Sequence, residues 1–76
     1  MNKERRTKIG NVITALNTLR DQVQDIHDDE DTALGNLPES LEGSDRYDMM
    51  QEAVDNLDEA LSSLEDAIDF LDSARE

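Results

Sequence analysis

From Tyr47 onward the apolar residues fall at Tyr47, Met50, Val54, Leu57, Leu61, Leu64, Ile68 and Leu71, with intervals alternating between three and four residues. A strand would alternate apolar and polar positions, and a disordered chain would show no period, so this segment predicts an amphipathic helix. In heptad terms Tyr47, Val54, Leu61 and Ile68 occupy a, and Met50, Leu57, Leu64 and Leu71 occupy d. Ala53, Ala60, Ala67 and Ala74 then all fall at g, where small side chains let a neighbouring backbone approach closely. Ile9, Val12, Leu16, Leu19, Val23 and Ile26 repeat the same spacing and predict a second such helix. Ile13 widens its seam on one side and Ala15 on the other. Gly10 costs this helix roughly 1 kcal/mol of propensity relative to Ala.

Local signals set the ends. Asn2 is the candidate N-cap of the first helix, and Ser44, followed by Asp45, that of the second. Gly35 and Asn36, with Pro38 beyond, predict the first helix's end, the glycine supplying a left-handed cap. Leu37 and Leu41, four apart around a proline, predict one helical turn closing the end of the structure. The expectation is a single all-α domain over residues 1–76: helix about 3–34, connector about 35–44, helix about 45–74. Two amphipathic helices on a short link favour an antiparallel hairpin with heptad packing. The apolar arc of the second helix, widened at c by Met49 and Phe70, spans roughly 160 degrees, more than one partner helix covers. A second copy, completing a four-helix bundle, is the most economical way to bury the remainder. The oligomer seam is accordingly placed at Ile9, Val12, Leu16, Leu19, Val23, Ile26, Val54, Leu57, Leu61, Leu64, Ile68 and Leu71.

Composition changes the picture mainly through charge. Twenty acids against seven bases give a formal net charge of -13. Leu, Ile, Val and Phe make up 17 of 76 residues, close to the composition of disordered chains, so the heptads rather than the composition argue for a fold. No apolar run approaches the roughly 18 residues of a membrane span. With no cysteine there is neither a disulfide framework nor a thiolate metal site.

Between Arg46 and Asp72 stand Asp48, Glu52, Asp55, Asp58, Glu59, Glu65, Asp66, Asp69 and Asp72, every one at b, e or f. These positions adjoin on the helical wheel and form an acidic ridge opposite the apolar face. A helix that is merely soluble usually mixes Glu with Lys at i, i+4; this one accepts like-charge repulsion. The first twenty residues differ: Lys3, Arg5, Arg6, Lys8 and Arg20 against Glu4 give +4, while residues 21–76 carry two bases and nineteen acids, or -17. The bases of Lys3 to Lys8 are expected to meet acids of the second helix or of a second subunit. Nine acids along a helix make one charge per roughly 4.5 Å at 1.5 Å per residue, against one per roughly 1.7 Å in B-form DNA. A single ridge is too dilute to imitate DNA, and two side by side come much closer.

Candidate chemistry is sparse. The run Asp28-Asp29-Glu30-Asp31 fails as a calcium loop, because no Gly falls at the sixth position. His27, the one histidine, sits at e on the edge of the seam, without the Glu-x-x-His pair of a bundle metal site. It is expected to be structural. There is no phosphate loop and no nucleophile set, so neither an enzyme nor a cofactor is expected. The basic segment lacks the interleaved aromatics of a nucleic-acid site, and the rest of the chain repels phosphate.

The opening Met1-Asn2-Lys3-Glu4-Arg5-Arg6, the connector Asn36-Leu37-Pro38-Glu39-Ser40-Leu41, Arg46-Tyr47 and the acidic heptads up to Leu71 resemble a group of small acidic α-helical proteins of bacteriophages and prophages, mostly without an assigned function. The resemblance implies action in the cytoplasm of a bacterial host by binding a host protein, including components of antiviral defence. It transfers no functional residue. The expected function is therefore a small acidic interaction protein that binds and inhibits a host protein, with a nucleic-acid-binding protein the favoured partner. The alternative is a structural or assembly component of a phage, its charge serving solubility.

Overall fold

The computed structural model describes residues 1–41 and 43–76; Glu42, within the predicted connector, lies outside the described residues. Helix α1 spans Lys3–Gly35 and helix α2 spans Asp45–Ala74, with a 3-10 turn at Glu39–Leu41 between them. The Asn2 side chain accepts a hydrogen bond from the Arg5 N–H at 2.8 Å, and the Ser44 hydroxyl accepts one from Tyr47 N–H at 3.2 Å. Each cap satisfies a backbone donor that the first helical turn leaves open.

The end of α1 differs in mechanism from the expected left-handed glycine cap. Gly35 is the last helical residue, and Gly43 carries the positive φ of the described residues, at 78°. Asn36, at φ -93° and ψ 0°, closes the helix by donating its N–H to Thr32 and Ala33 carbonyls at 3.1 and 3.3 Å. Leu37 N–H donates to Leu34 O at 3.3 Å, which tightens the last turn before Pro38 ends it. Leu37 and Leu41 are both half-buried, so the connector turn closes the end of the structure. The left-handed conformation is spent on Gly43, where the chain turns into α2.

The two helices pack antiparallel into a rod of 59 × 15 × 12 Å between Cα extremes. Two contacts fix the register. His27 Nε2 lies 2.8 Å from Asp58 Oδ1, and the Arg75 side chain lies over Gly10, where a Cβ would stand 3.3 Å from its Nη1. Because both pairs share the same sum of residue numbers, facing positions can be read along the whole rod. In α2 the seam is the expected one: Tyr47, Met50, Val54, Leu57, Leu61, Leu64, Ile68 and Leu71 are all buried or half-buried.

In α1 the buried face is rotated from the expected one. Ile9, Leu16 and Val23 face α2, but Val12, Leu19 and Ile26 point outward, at 47%, 49% and 55% exposure. Their seam places are taken by Ile13, Arg20, His27 and Leu34, and Glu30 continues the row of Leu16 and Val23. The reason is that the apolar arc of α1 is wider than one partner helix covers, so a choice between two flanking rows must be made. The side that wins is the one on which His27 reaches Asp58. The core is accordingly thin: Ile13, Val54 and Leu61 are its buried apolar residues among those described.

Candidate interaction surfaces

The register divides the rod lengthwise into two unlike edges. In an antiparallel pair, positions beyond the seam on one helix neighbour the corresponding positions of the other. On one edge, His27 meets Asp58, and the register sets Arg20 level with Glu65 and Ile13 level with Asp72. On the opposite edge, the row Val12, Leu19, Ile26 and Ala33 of α1 and the row Ala74, Ala67, Ala60 and Ala53 of α2 lie on the same side of the seam, each pair one residue off level in that register. One edge is polar and the other apolar.

All nine acids from Asp48 to Asp72 are exposed. They continue from the polar edge around the back of α2, and Asp21, Asp25, Asp28, Asp29 and Asp31 of α1 are exposed as well. Two of the nine meet a cation: Asp58 pairs with His27 at 2.8 Å, and Asp72 with Arg75 at 2.7 Å. Asp55 accepts a hydrogen bond from the Gln51 amide at 3.1 Å. Among the described residues no ion pair reaches Asp48, Glu52, Asp55, Glu59, Glu65, Asp66 or Asp69. The ridge is thus a solvent-facing field of carboxylates held on a rigid helix.

His27 is more than an edge residue. Its Nδ1 lies 3.1 Å from Asp28 Oδ1 and its Nε2 2.8 Å from Asp58, so both ring nitrogens face carboxylate oxygens. Only the imidazolium can donate from both. The hydrogen bond with Asp28, aided by the charges of Asp58 and Asp31, holds the His27 pKa above its ordinary 6.5 against an opposing effect of burial. The same bond with His27, and a second from the Gln24 amide at 2.9 Å, hold Asp28 below the ordinary carboxylate value. A sequence signal for this arrangement existed. Ile13, Arg20, His27 and Leu34 stand seven apart, with apolar residues at both ends of the row.

The basic segment does not meet α2. Residues 1–8 are all exposed, and α2 ends at Ala74, so the first two turns of α1 have no α2 residue opposite them. Among the described residues its ion pair is internal, Lys8 Nζ to Glu4 Oε1 at 3.3 Å. This corrects half of the expectation for these bases; the meeting with a second subunit stands as a proposal.

The apolar edge carries Val12, Leu19 and Ile26, with Phe70 of α2 on its rim at 75% exposure. Met49 lies on the same rim near the connector. Among the described residues there is no group of three or more His, Asp or Glu side chains that could hold a metal ion, and no helix is long and apolar enough to cross a membrane. Set against known protein families, curated proteins and solved structures, the chain finds no match.

Proposed function

We propose that this chain is a non-enzymatic interaction protein, acting as a pair of helical hairpins in a four-helix bundle, whose acidic ridges bind and inhibit a nucleic-acid-binding protein. The observation that carries the reading is the run of outward carboxylates at Asp48, Glu52, Asp55, Asp58, Glu59, Glu65, Asp66, Asp69 and Asp72, seven of them in no ion pair among the described residues. Such a field attracts surfaces that evolved to hold phosphate and repels nucleic acid itself. Two ridges in one bundle approach the charge spacing of a duplex, which one hairpin does not. The resemblance to small acidic phage and prophage proteins supports a bacterial host as the source of the partner and its cytoplasm as the place of action.

The test is capture from bacterial lysate by the tagged chain at low and high salt, with and without competing duplex DNA. Nucleic-acid-binding proteins are expected at low salt and are released by salt or DNA. The triple variant Asp55→Lys, Glu59→Lys, Asp66→Lys is expected to lose them. Capture that is indifferent to salt and survives the reversals moves the binding site off the ridge.

The exposed row Val12, Leu19 and Ile26 favours a second reading, a structural or assembly component whose charge serves solubility. It predicts association with virion proteins and further copies of the chain, with no capture of host proteins.

A further inference from the structure

The apolar edge of the hairpin is a ladder of four rungs, Val12 with Ala74, Leu19 with Ala67, Ile26 with Ala60, and Ala33 with Ala53, each pair one residue off level in the register set by His27 and Asp58. The bulky side chains all lie on α1, and the alanines line α2 throughout. From this we infer that the occupant of the edge is a second copy of the chain, related by a two-fold axis along the rod, so that each α1 lies antiparallel against the partner's α2. This deepens the proposed pairing of hairpins and does not depend on what the acidic ridges bind.

The arrangement follows from self-complementarity, which a two-fold interface demands. With the axis along the rod, Val12, Leu19 and Ile26 pack over the partner's Ala74, the partner's Ala67 and the partner's Ala60. Every bulky residue meets a small one, and the two rows keep an even separation. The rims then match in part. Phe70, 75% exposed, falls beside the partner's Ala15; Ser63 falls beside the partner's Gln22 and Asn56 beside the partner's Asp29, so these three places match in polarity, while Met49 at the connector end falls beside the partner's Asn36.

The competing arrangement turns the axis across the rod and runs the hairpins head to tail. It stacks α1 on the partner's α1 and α2 on the partner's α2, setting bulky rows together on one side and alanines on the other. Phe70 would then face the partner's Asn56, and Ala15 the partner's Asp29. Its attraction is electrostatic, since the basic overhang Lys3 to Lys8 would reach the partner's acidic connector end. Exposed pairs between long flexible side chains contribute little, whereas mismatched packing forfeits contacts along the whole face. Packing decides.

The size is sufficient. The rungs extend about 32 Å at 1.5 Å per residue, and two helices side by side are about 15–20 Å wide. Together two copies bury roughly 1,000 Å² or more, the size expected of a specific interface. All neighbouring helices in the resulting bundle run antiparallel, and both acidic ridges remain outward.

The chain has no cysteine, so single cysteines can be introduced as unique reporters. Sedimentation equilibrium of the full chain is expected to give twice the chain mass. Leu19→Glu with Ile26→Glu is expected to weaken association at least about tenfold while helicity by circular dichroism persists. Chains carrying Gln22→Cys and chains carrying Ser63→Cys, mixed and treated with a short bis-maleimide, are expected to join to each other and not to their own kind. Joining of like with like, or no joining, overturns the arrangement and leaves the pairing standing. A monomer at every soluble concentration, or association unchanged in the double Glu variant, overturns the second copy as occupant.

Discussion

The imidazole of His27 reaches across the hairpin to Asp58 at 2.8 Å, and among the described residues this is the ion pair that joins the two helices. Its other nitrogen is held by Asp28 at 3.1 Å, and the folded pKa is raised from 6.5. A raised histidine pKa stabilises the fold fully below the unfolded value near 6.5 and loses that contribution as pH climbs through the higher folded value. Thermal stability is therefore expected to fall as pH rises from about 6.5 through the higher folded value. His27→Gln is expected to flatten that fall, as followed by circular dichroism melts at matched ionic strength. The depressed Asp28 pKa works at the other end: its contribution is present above its unfolded value near 3.8 and disappears as pH drops through the lower folded one. An equal pH slope in His27→Gln would show that the clip contributes nothing.

Gly10 sits under the guanidinium of Arg75, which Asp72 anchors through Nη2 at 2.7 Å and Nε at 2.9 Å. A Cβ at Gly10 would lie 3.3 Å from Arg75 Nη1, a close approach to the tip of a flexible side chain that can yield. The helical propensity of alanine is favoured by about 1 kcal/mol. Gly10→Ala is expected to stabilise the protein by roughly 0.5–1 kcal/mol in urea denaturation. Destabilisation would mean that Arg75 cannot move, making its contact with α1 a rigid one.

A core leucine of α2 and an outward leucine of α1 should respond differently to truncation. Leu61, 8% exposed, packs in the thin core, and Leu61→Ala is expected to cost about 2–4 kcal/mol. That is a large share of the roughly 4–11 kcal/mol that a chain of this length commands. Leu19, 49% exposed, is expected to cost less than about 1 kcal/mol on replacement by Ala when measured at a dilution that separates copies. At high protein concentration the Leu19→Ala cost should grow, because the pairing energy joins the apparent stability. A Leu19→Ala cost that matches Leu61→Ala at every dilution would place Leu19 in the hairpin's own core.

What could be read from the sequence follows from how many rows compete on each helix. In α2 the seam has one answer, since from Val54 to Leu71 Leu, Ile and Val fill a and d while Ala53, Ala60, Ala67 and Ala74 stand at g. In α1 the residues Ile9, Leu16 and Val23 are shared by two possible stripes, one completed by Val12, Leu19 and Ile26, the other by Ile13 and Leu34 around Arg20 and His27. Single-helix periodicity favours the greasier stripe. The fold buries the other, because the choice belongs to the pair: His27 finds Asp58 on that side, while the greasier row is left beside alanines. The same limit applies to Gly35, whose residue type suited a left-handed cap that Asn36 made unnecessary by tightening the last turn. The acidic positions were legible because exposure opposite a clear seam needs no knowledge of a partner helix.

Asp69 stands on α2 among Glu65, Asp66 and Asp72, at spacings of four and three residues where like charges repel by roughly 0.2–0.5 kcal/mol per pair. Asp69→Lys converts these repulsions to attractions and places a cation near the C-terminal end, where the helix dipole favours one. The expected gain is about 0.5–1.5 kcal/mol, read as an increased urea midpoint at low salt and shrinking as salt screens the pairs. The decisive measurement is lysate capture by the same variant. Under the proposed function the stabilised protein should bind its partner less well, since the carboxylate it gave up belonged to the binding field. A variant that gains stability and captures equally well would mean that repulsion along α2 is tolerated for solubility, and the structural reading would then take precedence over ridge-mediated capture.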